Sequence, residues 1–137
     1  IETALVETEH NIAGTSAGRI DILIREAKAR NPRAILIENK IYAGDQEFQL
    51  GRYHQYGIDH YGQSNFVLFY LTLGGHEPDD YSIKSKSKEM TVNKDFFLIS
   101  YGDEILKWLS NCYKESAGLP KIRETIAQYI PLVSKFS

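Results

Sequence analysis

Residues 19–41 read RIDILIREAKARNPRAILIENKI. Two apolar runs, 19–26 and 34–41, flank a polar stretch over 28–33 that contains Pro32. In the first run Ile20, Ile22 and Ile24 fall on one side and Asp21 and Leu23 on the other, which is the period of a strand. The second run is apolar until it meets Glu38 and Lys40, two residues apart and therefore on the same side. The turn residues between them make the two runs an antiparallel hairpin. With the turn centred between residues 30 and 31, Asp21 falls across from Lys40, and Glu38 is its diagonal neighbour. Two carboxylates and an ammonium group thus gather at the end of an otherwise apolar hairpin. Charges in such a place are costly unless something pairs them. A divalent cation with a preference for hard oxygen ligands would do so, and would keep positions for waters and a phosphate oxygen.

The flanking sequence fills in an α/β pattern. Residues 4–12 read as a weak strand, and AGTSAG at 13–18 reads as a loop. After the hairpin, Gly44-Asp45 predicts a helix start with Asp45 as N-cap. That helix runs to about His60, with Gly62 just past its end. Gly51 and Gly57 inside it weaken a helix by roughly 1 kcal/mol each against alanine, which implies close packing on a sheet or close approach of a ligand. FVLFYLTL at 66–73 is the most apolar run and reads as a buried central strand. A polar excursion over 74–95 and a strand over 96–100 follow. Two helices, 103–116 and 120–135, close the chain, the first with Ile105, Leu106, Trp108 and Leu109 on its apolar side. The second places Ile122, Ile126, Tyr129, Ile130 and Val133 on one side. Together these elements predict a three-layer α/β sandwich with a central mixed sheet flanked by helices.

Bulk properties bound the rest. A chain of 137 residues with 42% hydrophobic and 25% charged residues suits a single folded domain over 1–137. Its start at Ile1 points to a fragment of a longer protein. The net charge of −2 argues against a strongly basic coat for nucleic acid, though not against a local basic patch. There is no apolar run of about 18 residues and no signal-peptide pattern, so no membrane association is expected. The single cysteine, Cys112, reads as a small apolar residue in a reducing, cytoplasmic setting. No Gly-rich phosphate loop or serine-nucleophile elbow appears. His10, His54, His60 and His76 have no zinc-ligand spacing.

The segment Gly18-Arg19-Ile20-Asp21, followed after an apolar strand by Ile37-Glu38-Asn39-Lys40, resembles the core motif of the PD-(D/E)xK nuclease superfamily. Gln49-Leu50-Gly51-Arg52-Tyr53 is similar to the Gln-x-x-x-Tyr motif of its RecB-type members, and residues four apart share a helix face. The likeness covers about residues 5–73. Ile20 stands where the motif name has proline. Many members also supply an acidic residue from a helix before the first strand, which has no secure counterpart among Glu2, Glu7 and Glu9.

The resemblance implies a restriction-endonuclease-like fold and Mg²⁺- or Mn²⁺-dependent hydrolysis of DNA, rather than RNA, in bacterial defence or DNA repair. It implies that Asp21 and Glu38 bind metal, that Lys40 assists the water or the transition state, and that Gln49 and Tyr53 support the site. Arg19 and Arg52 flank the motif as phosphate forks or as solubilising surface. Lys84, Lys86 and Lys88 alternate with serines, either as a phosphate-contacting edge or as a solvated loop. Two other readings stay open. One is a catalytically inactive nucleic-acid-binding or protein-interaction module on the same fold. The other is a structural domain whose charges pair internally.

Overall fold

Along AILIENK, Ala34, Leu36, Glu38 and Lys40 are buried while Ile35, Ile37 and Asn39 are half-buried. That period of two makes Ala34–Lys40 a strand, here β3. It pairs antiparallel with β2 (Arg19–Glu26), which pairs antiparallel with β1 (Ala4–Asn11). The computed structural model describes residues 3–12, 18–84 and 89–135. Helix α1 (Gln49–Tyr61) carries the chain from β3 to β4 (Phe66–Thr72), and β5 (Phe97–Ser100) follows. Helices α2 (Leu106–Glu115) and α3 (Pro120–Ser134) complete the order. The five strands form one mixed sheet in the order β1-β2-β3-β4-β5. The amide of Ala34 donates to the carbonyl of Asn65 at 2.9 Å, so β3 and β4 start side by side, as a parallel pair closed by a crossover helix must.

The β2–β3 register differs from the sequence expectation by two residues. Ile22 faces Ile37 and Leu23 faces Leu36. Continued outward, that register sets Asp21 opposite Glu38 rather than Lys40. A shift of two preserves which face each side chain occupies, so the charged residues stay together. Strict alternation along β2 also fails: the fully buried residues are Ile20 and Leu23, three apart. β2 is an inner strand with neighbours on both edges, and on the β1 side Glu9 takes φ 52 between the paired residues Thr8 and His10.

Helix α1 starts three residues later than an Asp45 cap predicts. Its N-cap residue, Phe48, lies in the left-handed region at φ 56 and makes no side-chain cap. Main-chain carbonyls from the polar excursion do the capping instead. Phe48 N–H donates to Tyr81 O at 2.9 Å, and Leu50 N–H donates to Ser82 O at 3.1 Å. Asp45 spends its carboxylate elsewhere, accepting from the Tyr70 hydroxyl at 3.0 Å and from Asp79 N–H at 2.7 Å. At the other end Gly62 closes the helix, donating to Ile58 O at 2.9 Å. Gly57 packs where the sequence suggested: a Cβ there would collide with the ring of Phe66 on β4.

The chain divides into two compact units, Ile1–Tyr70 with Glu77–Leu98, and Leu71–His76 with Ile99–Ser137. The first has a core of Ile20, Leu23, Leu36, Leu50, Tyr53, Leu68 and Phe96, all nearly inaccessible. The second holds α2 and α3. A π-helical turn over Tyr101–Ile105 opens it, with Ser100 Oγ accepting from Asp103 N–H and the Glu104 carboxylate accepting from Ser100 N–H at 2.8 Å. That reciprocal pairing is a capping box stretched by one residue. α2 buries Leu109, while Trp108, about 100° round the helix, is 60% exposed. In α3 Val133 is buried and Ile122 and Tyr129 are exposed. Each helix therefore buries a narrower stripe than its sequence suggested. Among the described residues no helix is long and apolar enough to cross a membrane.

Candidate active site

The charged end of β3 is a buried hydrogen-bonded chain. Lys40 Nζ lies 3.0 Å from Glu38 Oε1 and donates to the carbonyl of Gly44 at 3.2 Å. From the helix side, Gln49 Nε2 donates to the same Glu38 Oε1 at 2.8 Å and to the Tyr53 hydroxyl at 3.1 Å. Tyr53 in turn donates its hydroxyl proton to the carbonyl of Arg19 at 2.6 Å. Gln49 Oε1 accepts from Gln46 N–H at 3.3 Å. Each amide hydrogen of Gln49 and both roles of the Tyr53 hydroxyl are thus assigned, as burial demands. Residues four apart on α1 can do this because they stack on one face. Gly18 makes room for it. Its φ of +91 favours glycine, and the Tyr53 ring passes within contact distance of where a Cβ would stand.

Asp21 joins from β2. Its Oδ2 accepts the N–H of Asn39 at 2.7 Å, tying the carboxylate to the β3 main chain between Glu38 and Lys40. Glu38 and Lys40 are only 2% and 6% exposed. Burial pushes the Glu38 carboxyl up to about 7; Lys40 opposes the shift, and the negative fields of Asp21 and Asp45 add to it. Burial likewise lifts Tyr53 to about 12, with the Glu38 charge contributing.

One atom of this cluster stands apart. Glu38 Oε1 receives both Lys40 and Gln49, whereas Glu38 Oε2 is buried and has no hydrogen-bond partner among the described residues. A buried acceptor left so costs about 1–3 kcal/mol. With the Asp21 carboxylate alongside, an oxygen donor of this kind suits a divalent cation. No cluster of three or more His, Cys, Asp or Glu side chains able to hold an ion occurs among the described residues.

The basic residues are placed less centrally. Arg19 is exposed and pairs with Glu9 at 3.1 Å. Arg52 reaches the Glu47 carbonyl at 2.5 Å and Gln46 Oε1 at 3.4 Å, so it braces the loop before α1. Lys84 is exposed on a short bridge with Glu89, and Lys86 and Lys88 lie outside the described residues. Glu7 is engaged in an ion pair with Arg25 at 2.7 Å and a bond with His10. His54 is buried 3.8 Å from the Asp95 carboxylate, edge-on to Phe66.

Sequence reasoning missed the main-chain contributors: the carbonyls of Arg19 and Gly44 and the amide of Asn39. It also missed Asp45 as a nearby carboxylate. Main-chain groups carry no residue signature. Asp45 was read through its local capping propensity, whereas its actual partners lie 25 and 34 residues away.

A family model described as the PD-(D/E)XK nuclease superfamily matches residues 1–131. Neither the curated proteins nor the solved structures contain a match.

Proposed function

Because this chain belongs to the PD-(D/E)XK nuclease superfamily, we propose that it hydrolyses DNA phosphodiester bonds with the help of a divalent metal ion, Mg²⁺ or Mn²⁺. The observation that carries this reading is the buried, unpartnered Glu38 Oε2 beside Asp21, with Lys40 held against the other oxygen. Asp21 and Glu38 would hold the ion. When bound, it supplies an acidified water and positive charge for the phosphoryl oxygens.

The chain's own residues do the rest. Gln49 and Lys40 both grip Glu38 Oε1, which fixes the carboxylate and directs Oε2 into the site. Asn39 N–H holds Asp21 in the same way. Lys40 spends donors on Glu38 and Gly44, and a third remains for the attacking water or a phosphoryl oxygen, the charge-stabilising role that a preorganised ammonium fills best in a water-poor site. Tyr53 acts through Gln49 and is a positioning residue, in the manner of the RecB-type motif. Bacterial defence or DNA repair, in a cytoplasm that keeps Cys112 reduced, is the setting in which we place this activity.

Labelled linear and circular DNA, single- and double-stranded, should be cleaved by the protein in Mg²⁺ or Mn²⁺ and left intact in EDTA. Glu38→Ala and Lys40→Ala should each abolish cleavage. Cleavage that persists unchanged in both variants would remove these residues from the reaction. Metal-independent binding without cleavage would instead mark an inactive binding module.

A further inference from the structure

The loop that follows β3 exposes apolar side chains at the edge of the site. Ile41 and Tyr42 come directly after Lys40, and Tyr42 is 83% exposed. Phe48 directly precedes Gln49 and is 40% exposed. Tyr81, 43% exposed, is stitched to Phe48 by the main-chain bond from Phe48 N–H to Tyr81 O. The Tyr81 hydroxyl donates to Asp79 at 2.6 Å, and Asp79 N–H donates to Asp45, next to the Gly44 whose carbonyl holds Lys40. One continuous set of bonds thus runs from the catalytic lysine to this aromatic rim.

Two features separate the rim from ordinary surface. Phe48 sits at φ 56, a conformation rarely adopted by a bulky side chain. Strain of that kind persists where surrounding structure enforces it, and it gathers at ligand sites. Acidic residues also crowd the rim's own segments among the described residues. Asp45, Glu47, Asp79 and Asp80 lie on the same two segments, and Arg52 is bound to the Glu47 carbonyl. A duplex presents phosphates outward and hides the faces of its bases, so rings set among carboxylates gain little from it. A single strand offers uncharged base faces, on which aromatic side chains stack.

We infer that Tyr42, Phe48 and Tyr81 form a stacking rim for unpaired nucleobases, which makes single-stranded or splayed nucleic acid the substrate class of this site. The inference rests on the nuclease reading for its substrate and adds to it how the strand is held.

The test is fluorescence anisotropy in EDTA with three probes of equal length: an oligothymidylate, an abasic oligomer with the same phosphates, and a blunt duplex. The parent protein should bind the oligothymidylate about tenfold more tightly than either of the others, the scale of one stacked base. Tyr42→Ala and Phe48→Gly should each lower oligothymidylate affinity about tenfold and leave abasic binding unchanged. Glycine suits the left-handed position, so the second variant removes the ring without straining the turn. Equal binding of the three probes, no binding to any of them, or variants that match the parent would overturn the inference. Metal-dependent cleavage is scored separately on the same proteins. Cleavage with no base preference leaves the nuclease reading standing without the rim, and ring-dependent binding without cleavage does the reverse.

Discussion

Glu38 sits between two states that the fold does not satisfy equally. Protonated, it suits its burial; ionised, it holds Lys40 and Gln49 but leaves Oε2 without a donor. Its folded-state pKa, about 7, lies above the ordinary 4.5 of an unfolded chain. The folded protein therefore holds the extra proton between those values, and metal-free protein should lose stability as pH rises from about 4.5 through about 7. Metal binding needs the ionised form and reverses the trend. The rise in melting temperature on adding Mg²⁺ should accordingly be larger at pH 8 than at pH 6. Glu38→Gln should flatten the metal-free pH dependence and abolish the metal response. A metal-induced rise equal at both pH values would detach the ion from this carboxylate. Tyr53→Phe makes a milder test of the same chain of bonds. It leaves the Arg19 carbonyl and one Gln49 hydrogen unsatisfied, at a cost of about 1–3 kcal/mol. Turnover should fall while KM stays near the parent value, because the hydroxyl is committed to Gln49 and the Arg19 carbonyl and, in the proposed reading, acts on Glu38 through Gln49. A change confined to KM would place Tyr53 in binding instead.

At the scale of elements, α1 is held to the sheet by the absence of a side chain. Gly57→Ala would gain roughly 1 kcal/mol of helix propensity but would drive a methyl into the Phe66 ring, an overpacking cost of about 1–3 kcal/mol. The expected balance is a net loss of about 1 kcal/mol in urea unfolding, recovered in part by Gly57→Ala combined with Phe66→Leu. If Gly57→Ala alone is stabilising, the helix and strand are not in the contact described. Every strand was legible to within a residue or so of its observed ends, because alternation and apolar runs are local signals. Membership of Glu38, Lys40, Gln49 and Tyr53 in one cluster was legible too, since spacings of two on a strand and four on a helix fix faces. The β2–β3 register was not, because KARNPR admits more than one turn centre and a slip of two leaves every face unchanged. Nor was the start of α1. Its caps are carbonyls of Tyr81 and Ser82, some thirty residues downstream, and no local pattern announces a partner at that distance. The narrow buried stripes of α2 and α3 were misjudged for a related reason: a helical apolar pattern states which side can be buried, not how much of it is.

For the whole molecule, charge limits how nucleic acid can be held. The chain carries a net −2, and the cations nearest the site are already engaged: Lys40 with Glu38, Arg19 with Glu9, Arg52 with the loop before α1. A single strand that displaced all three partners would have about three phosphates neutralised, and each neutralised phosphate contributes about −0.7 to the slope of log affinity against log salt. The slope for an oligothymidylate should therefore be no steeper than about −2. Recruitment of Lys84, Lys86 and Lys88 would roughly double the number of contacts and bring the slope to about −4. A titration of affinity with salt thus separates two ways of holding a strand, one by rings beside a compact site and one along a lysine edge. The proposed aromatic rim predicts the first. Three exposed aromatic residues stand within two residues of Lys40 or Gln49 or are bonded to Phe48, while Lys84 lies beyond them on a short main-chain bridge with Glu89. A steep slope that Lys84→Ala relieves would shift the binding surface to that edge, and a shallow slope unaffected by it would leave base stacking as the main source of affinity.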